Sequence, residues 1–189
     1  LRKLGFHYLV NDKRARRGAW HELFGEDGFE PVAGRGEDRE VLVRHIDTVP
    51  DDEADSAERV VLCKSRGRRD KETAIRSRAE DRFLRDMQAL AKRIATGRLK
   101  TAGGAERALG RVLAKHPRVA RFYEATVADA DGLALHWRRD DQRWEAEDEL
   151  AGCYALRTTR QDLGGDELWR LYMTLCRAED GFRTVKSDL

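Results

Sequence analysis

Residues 166–189 read DELWRLYMTLCRAEDGFRTVKSDL. Leu168, Leu171, Leu175, Ala178, Phe182, Val185 and Leu189 recur at alternating steps of three and four. That spacing predicts a helix with one apolar side packed against another element. Beside the stripe stand Tyr172, Glu179 and Lys186, seven residues apart each time. Seven residues turn a helix by about 700°, so the three line up with a drift of about 20° per step, each about 10.5 Å along the axis from the next. A carboxylate next to an apolar seam is costly unless something pairs with it. The plain reading is an i,i+4 ion pair between Glu179 and Arg183, worth a few tenths of a kcal/mol. Gly181, inside the helix, costs about 1 kcal/mol relative to alanine, which points to a close approach by another backbone.

Upstream of this helix, Cys153-Tyr154-Ala155-Leu156-Arg157-Thr158 reads as a strand, and residues 138–150, nearly all polar or charged, as a loop. The run 122–127 and the run 133–137, separated by Asp129-Ala130-Asp131-Gly132, have the form of a β-hairpin. Ile75, Ala79, Phe83, Met87, Leu90 and Ile94 mark an amphipathic helix that stops at Gly97. Gly103-Gly104 then separates it from a second helix carrying Ala108, Leu109, Val112 and Leu113 and ending near Pro117, so an αα-hairpin is expected. Val41-Leu42-Val43-Arg44-His45-Ile46 and the run 59–64 predict two antiparallel strands about an acidic turn at 50–55. Phe6-His7-Tyr8-Leu9-Val10 is a further short strand, left by a basic loop at 13–18, and residues 24–40 read as irregular. The fold class is therefore α+β.

Apolar residues make up 40% of the 189, enough for a modest core, while 38% are charged. No run of eighteen apolar residues exists, so no membrane span is expected. Leu1 stands where a full reading frame has Met, and no secretory leader follows, so an internal piece of a longer cytoplasmic protein is expected. Cys63, Cys153 and Cys176 form no C-x-x-C pair, and the five histidines are scattered singly. That pattern argues against a disulfide framework or a zinc site. The net charge of +2 conceals segregation. Residues 20–60 carry a net of −9, whereas residues 61–121 carry eighteen basic and six acidic side chains, a net of +12. Such a block fits a polyanion-binding footprint as well as it fits a solvated helical surface.

The segment 166–189 resembles the glutamate helix of DDE transposases from bacterial insertion sequences. The group is the one named for its Tyr, Arg, Glu and Lys signature and typified by insertion sequence four. Tyr172, Glu179 and Lys186 fall on three of its four signature positions, and Phe182-Arg183 matches the pair between Glu and Lys. The signature arginine is Leu175 here, and Arg177 lies close by. Residues 152–158 resemble the strand that leads into this helix, and residues 1–10 the strand after the second catalytic aspartate. The resemblance implies a partial ribonuclease-H-like core, residues 1–10 and 152–189, interrupted by an inserted α+β segment at 11–151. It implies that Glu179 is the third catalytic, metal-binding carboxylate for Mg²⁺ or Mn²⁺, with two aspartates outside this chain. Two such ions serve in-line displacement at phosphorus when DNA strands are cut and joined. Tyr172, Arg183 and Lys186 would contact DNA phosphates, which position the backbone without reading bases. Trp137 would stack on a displaced base, although a hairpin residue packed in a small core is the plainer reading. A homodimer on paired DNA ends is implied for the complete enzyme, and with one carboxylate of three the fragment alone is expected to be inactive. Two other readings compete: a truncated, non-catalytic DNA-binding or regulatory remnant, and an unrelated nucleic-acid-binding α+β domain.

Overall fold

A computed structural model describes residues 6–33, 40–46, 58–130 and 132–187. The protein is a mixed α+β chain with antiparallel sheets. It divides into two compact units, residues 1–70 with 152–189, and residues 71–151.

The first unit is built on five strands: β1 (Leu9–Asn11), β2 (Glu30–Pro31), β3 (Val41–Ile46), β4 (Arg59–Ser65) and β7 (Cys153–Thr158). Their spatial order is β1-β7-β4-β3-β2, and every pair is antiparallel. The register sets Val43 opposite Cys63, and Cys63 opposite Tyr154. Strands β3 and β4, within the segment expected as an insertion, thus share a sheet with β1 and β7. The expected turn at 50–55 lies outside the described residues. The β-branched runs fill β3 and the central strand β4, where Val60, Val61 and Leu62 are fully buried, as is Leu156 of the adjacent β7. The basic stretch after β1, expected as a loop, is a 3-10 turn over Arg14–Trp20 followed by a short helix α1 (His21–Gly25).

On one face of this sheet lies the first part of α6 (Gly165–Ser187), whose Leu168 and Trp169 join Val41, Val43, Val61, Cys63, Tyr154 and Leu156 in one core. The helix begins where Glu167 reaches back to accept from the backbone N–H of Gly164 at 2.8 Å, half of a capping box. Gly165 sits so close to β3 that a Cβ there would lie 3.1 Å from His45 and 3.2 Å from Val43. That contact fixes the height of α6 over the sheet.

Helix α2 (Arg66–Ala95) starts in the first unit and forms the first helix of the second. The second unit also holds α3 (Ala102–Lys115), α4 (Pro117–Ala120), a hairpin of β5 (Tyr123–Ala128) and β6 (Ala134–Arg139), and α5 (Asp141–Glu149). Phe83, Met87, Leu90 and Ile94 of α2 pack with Ala105, Ala108 and Leu109 of α3, with Val119 and with Leu135. Ile75, expected on this stripe, is 51% exposed. Gly97, at φ 68°, ends α2 as the sequence predicts. Gly103 and Gly104, by contrast, do not separate two helices. Thr101 is the N-cap, accepting from the Gly104 N–H at 3.2 Å, so both glycines lie in the first turn of α3. Residues 141–149, expected as a loop, are helical. Asp140 caps that helix by accepting from the Arg143 N–H at 3.1 Å. It is held by Trp144 edge-on to Phe122 and by an ion pair between Arg76 and Asp148. No helix among the described residues is long and apolar enough to cross a membrane.

Candidate functional site

Helix α6 carries two apolar faces. At about 100° per residue, Gly165, Leu168, Trp169, Tyr172, Met173 and Cys176 cluster on the side turned to the sheet, and Leu171, Leu175, Ala178, Phe182 and Val185 on a side about 130° away. The first face is packed. The second is open: Leu171, Leu175, Phe182 and Val185 are 36%, 47%, 71% and 60% exposed. Leu168, the first member of the stripe that predicted this helix, is buried in the core, whereas the stripe from Leu171 to Val185 lies uncovered among the described residues. Leu189 lies outside the described residues.

The packed end is held by a chain of aromatic hydrogen bonds. Trp169 Nε1 donates to the Tyr154 hydroxyl at 2.7 Å, and the guanidinium of Arg68 lies 4.6 Å over the Tyr154 ring. Burial pushes the Tyr154 phenol and the Cys63 thiol well above their ordinary values, so both stay neutral. Tyr172 accepts from Asn11 Nδ2 at 3.1 Å, which ties α6 to the end of β1. Burial first, and hydrogen bonding with Cys176 second, raise the Tyr172 phenol too. Tyr172 is thus half-buried and anchored at the strand edge.

Glu179 and Lys186 lie further along the same edge, between the packed and open faces, and both are exposed. Arg183 does not pair with Glu179; its guanidinium lies 3.7 Å from Asp180. Among the described residues no cation reaches ion-pairing distance of Glu179. Gly181 has no atom within 4 Å of where a Cβ would be, so no backbone approaches it within this chain. The four residues singled out on α6 thus share one helix edge, with Tyr172 anchored and Glu179, Arg183 and Lys186 projecting past the sheet. Trp137 lies in β6, opposite Ala125, and packs against the core of the second unit.

The described residues contain no group of three or more His, Cys, Asp or Glu side chains able to hold a metal ion. Divalent ions of the Mg²⁺ type are held through carboxylate oxygens, with waters and substrate phosphates completing the shell. Among the described residues Glu179 stands without a second carboxylate beside it, so it would need further carboxylates to hold such an ion.

A second polar group, invisible in the sequence, sits where β1 meets β7. Arg157 pairs with Glu58 and lies 3.9 Å from Asp12, all three side chains being at least 89% buried. Tyr8 donates to Glu58, and Trp20 Nε1 donates to Asp12 at 3.2 Å. Each carboxylate here is satisfied by neighbours, so the group clamps the edge strand and offers no vacant acid or base. Its members are 46 to 145 residues apart in the chain, so no local motif announces it. Comparison with protein-family models, with curated proteins and with solved structures returned no match.

Proposed function

We propose that this chain is part of a DDE-type DNA transposase, an enzyme that cuts and joins DNA ends when an insertion sequence moves. One observation carries the reading. Tyr172, Glu179 and Lys186 share an edge of α6, and Glu179, unpaired, borders an apolar face that nothing in the described chain covers. In the described chain Glu179 is solvated; once the open face is covered, a carboxylate there becomes costly unless the complete protein supplies a countercharge. In the proposed enzyme that countercharge is a divalent ion, Mg²⁺ or Mn²⁺, held jointly with two aspartates outside this chain. The open face would rest on the remainder of a ribonuclease-H-like core. Lys186 and Arg183 would hold the DNA backbone beside the scissile phosphate, and Tyr172 would fix the helix against the strand edge. The complete enzyme would act as a homodimer on paired ends of double-stranded DNA in the cytoplasm.

The test is strand transfer on labelled end DNA with Mg²⁺. In the complete protein, Glu179→Ala abolishes joining and leaves DNA binding intact, whereas the 189-residue chain alone joins nothing. Joining that survives Glu179→Ala, or robust joining by the isolated chain, refutes the reading. A non-catalytic, DNA-binding remnant is the alternative; it requires a complete protein that binds DNA and yet fails to join it with Glu179 in place.

A further inference from the structure

The long helix α2 has a second side as ordered as its apolar one. Taking the direction of Phe83, Met87, Leu90 and Ile94 as inward, Lys71, Arg78, Arg82, Arg85, Lys92 and Arg93 fall on an arc about 100° wide on the outer side of the helix, centred about 140° round from it. All six are exposed, and all lie within the second unit. The arc holds no acid. Its other members are Ala74, Ile75 and Ala89; Asp81 and Asp86 border it on either side, and Glu72 and Glu80 lie further round toward the core. Flank cations behave differently: Arg76 pairs with Asp148, Arg139 with Glu80, and Lys115 of α3 with Asp86. Among the described residues, none of the six arc cations has a carboxylate partner. Glu80, Asp86 and Asp148 are thus engaged with other cations, and the six arc cations are left without a carboxylate partner among the described residues.

From Lys71 to Lys92 the ridge is about 32 Å long at 1.5 Å per residue, close to the 34–36 Å of about one turn of duplex. A row of six unpaired cations concentrates potential and calls for a partner with repeating negative charge. Two classes of polyanion fit poorly. Single strands are held by stacking on aromatic side chains, and the one aromatic residue of α2, Phe83, is fully buried. A membrane surface needs an apolar face beside the charges, and α2 has spent its apolar face on the core, leaving Ile75 alone on the arc. A stiff, straight, non-aromatic cationic ridge matches the evenly spaced phosphates of a double helix.

We propose that the solvent face of α2 is a docking ridge for the backbone of duplex DNA, contacting phosphates and not bases. The choice of DNA over duplex RNA rests on the transposase reading; the ridge itself does not. Six phosphate contacts give a slope of log K against log salt of about −5, and removing three of them changes that slope by about 2.7.

The test compares the chain with its Arg78→Gln/Arg82→Gln/Arg85→Gln variant, by fluorescence anisotropy on a duplex of about 20 base pairs across a salt series. The three arginines are solvent-facing, so the variant keeps its circular dichroism and its unfolding midpoint. It should lose on the order of 10²-fold in affinity near 0.1 M salt, with a correspondingly shallower slope. An unchanged slope overturns the proposal, as does a wild-type chain that binds no duplex at low salt. Wild-type binding that is tighter to single-stranded DNA, to duplex RNA or to phosphatidylserine vesicles, and equally impaired in the variant, overturns the choice of partner. Lys186→Gln separates the two sites: duplex binding lost there and kept in the triple variant refutes the ridge and spares the α6 reading. Binding lost in the triple variant, with strand transfer by the complete protein indifferent to Glu179→Ala, refutes the transposase reading and spares the ridge.

Discussion

Gly152 opens β7, and replacing it by alanine should damage the first unit more than any other single methyl group. Its φ is 76°, in the left-handed region where a side chain costs about 1–2 kcal/mol. A Cβ at this position would lie 2.5 Å from the Ser65 carbonyl oxygen and 2.8 Å from both the backbone nitrogen and the Cβ of Arg69. Two of these are backbone atoms and the third is a Cβ fixed to the backbone, at the end of β4 and in the first turn of α2, so relief requires moving the elements themselves. The shift strains the bond from the Ser65 N–H to the Gly152 carbonyl, now 3.0 Å, worth about 1 kcal/mol net. Gly152→Ala should therefore cost about 3 kcal/mol or more, a large part of a typical domain's stability. Trp20 and Trp169 lie in the first unit, Trp137 and Trp144 in the second. In a Trp137→Phe/Trp144→Phe background, tryptophan fluorescence during urea unfolding follows the sheet alone. The midpoint should fall by about 1–2 M, given a slope of roughly 2 kcal/mol per M. Gly67→Ala is the control, since nothing lies within 4 Å of its Cβ position and it sits in α2. It should be neutral or stabilising by about 0.5–1 kcal/mol. A Gly152→Ala midpoint within experimental error of the parent refutes the close approach argued here.

Gly181 is open on all sides within this chain, so Gly181→Ala should stabilise the outer part of α6 by about 1 kcal/mol, read as a gain in helical circular dichroism. Tyr123, Tyr154 and Tyr172 all have phenols raised above the ordinary value near 10, chiefly by burial. A raised phenol stabilises the fold below the unfolded value, and that contribution is lost as pH climbs through the folded one. Unfolding should thus set in above pH ~10 together with a late, cooperative rise of tyrosinate absorbance; smooth titration of all tyrosines with the fold intact would contradict this. Asp86 is lowered by its hydrogen bonds from His116 and then from Lys115, at 2.7 and 2.8 Å. Its contribution is present above the ordinary carboxylate value and disappears as pH falls through the lowered one. Asp86→Asn should flatten the acid limb of the second unit's stability below pH ~4, read by urea unfolding across a pH series.

The elements that could be read from the sequence are those whose periodicity is set by a core. Val60-Val61-Leu62 is a buried run, Val41 and Val43 are buried on either side of Leu42, and Phe83, Met87, Leu90 and Ile94 form a buried stripe, so patterning and packing agree. Helix α5 escaped because it buries no residue; a cap at Asp140 and the Arg76–Asp148 pair hold it, and neither leaves a period. At Gly103-Gly104 composition misled, since Thr101 supplies an N-cap that makes glycine tolerable in the first turn. The cationic arc was half legible. A net of +12 marks the block, but the sum hides that six cations share one side of α2, with Asp81 and Asp86 only at its borders. The clamp of Asp12, Glu58 and Arg157 was not legible at all, being assembled across the sheet.

Helix α6 combines both situations, and its energetics bear on where Glu179 can act. Its apolar stripe is a true periodic signal, yet the face it marks is open, whereas the packed face mixes glycine, tryptophan, tyrosine and cysteine. Fully burying a leucine, phenylalanine or valine is worth about 1.5–3 kcal/mol. Covering what remains exposed of Leu171, Leu175, Phe182 and Val185 would therefore release roughly 5 kcal/mol, comparable to the whole stability of a small domain. An element that docks there brings its rim up to the edge holding Glu179, excludes water from one side of that carboxylate and raises the value of any cation beside it. The same docking would be of no use to a glutamate already paired with Arg183. That Arg183 turns instead to Asp180 leaves Glu179 without a cation among the described residues, so that under the proposed reading a partner would come from the covering element or from what that element holds.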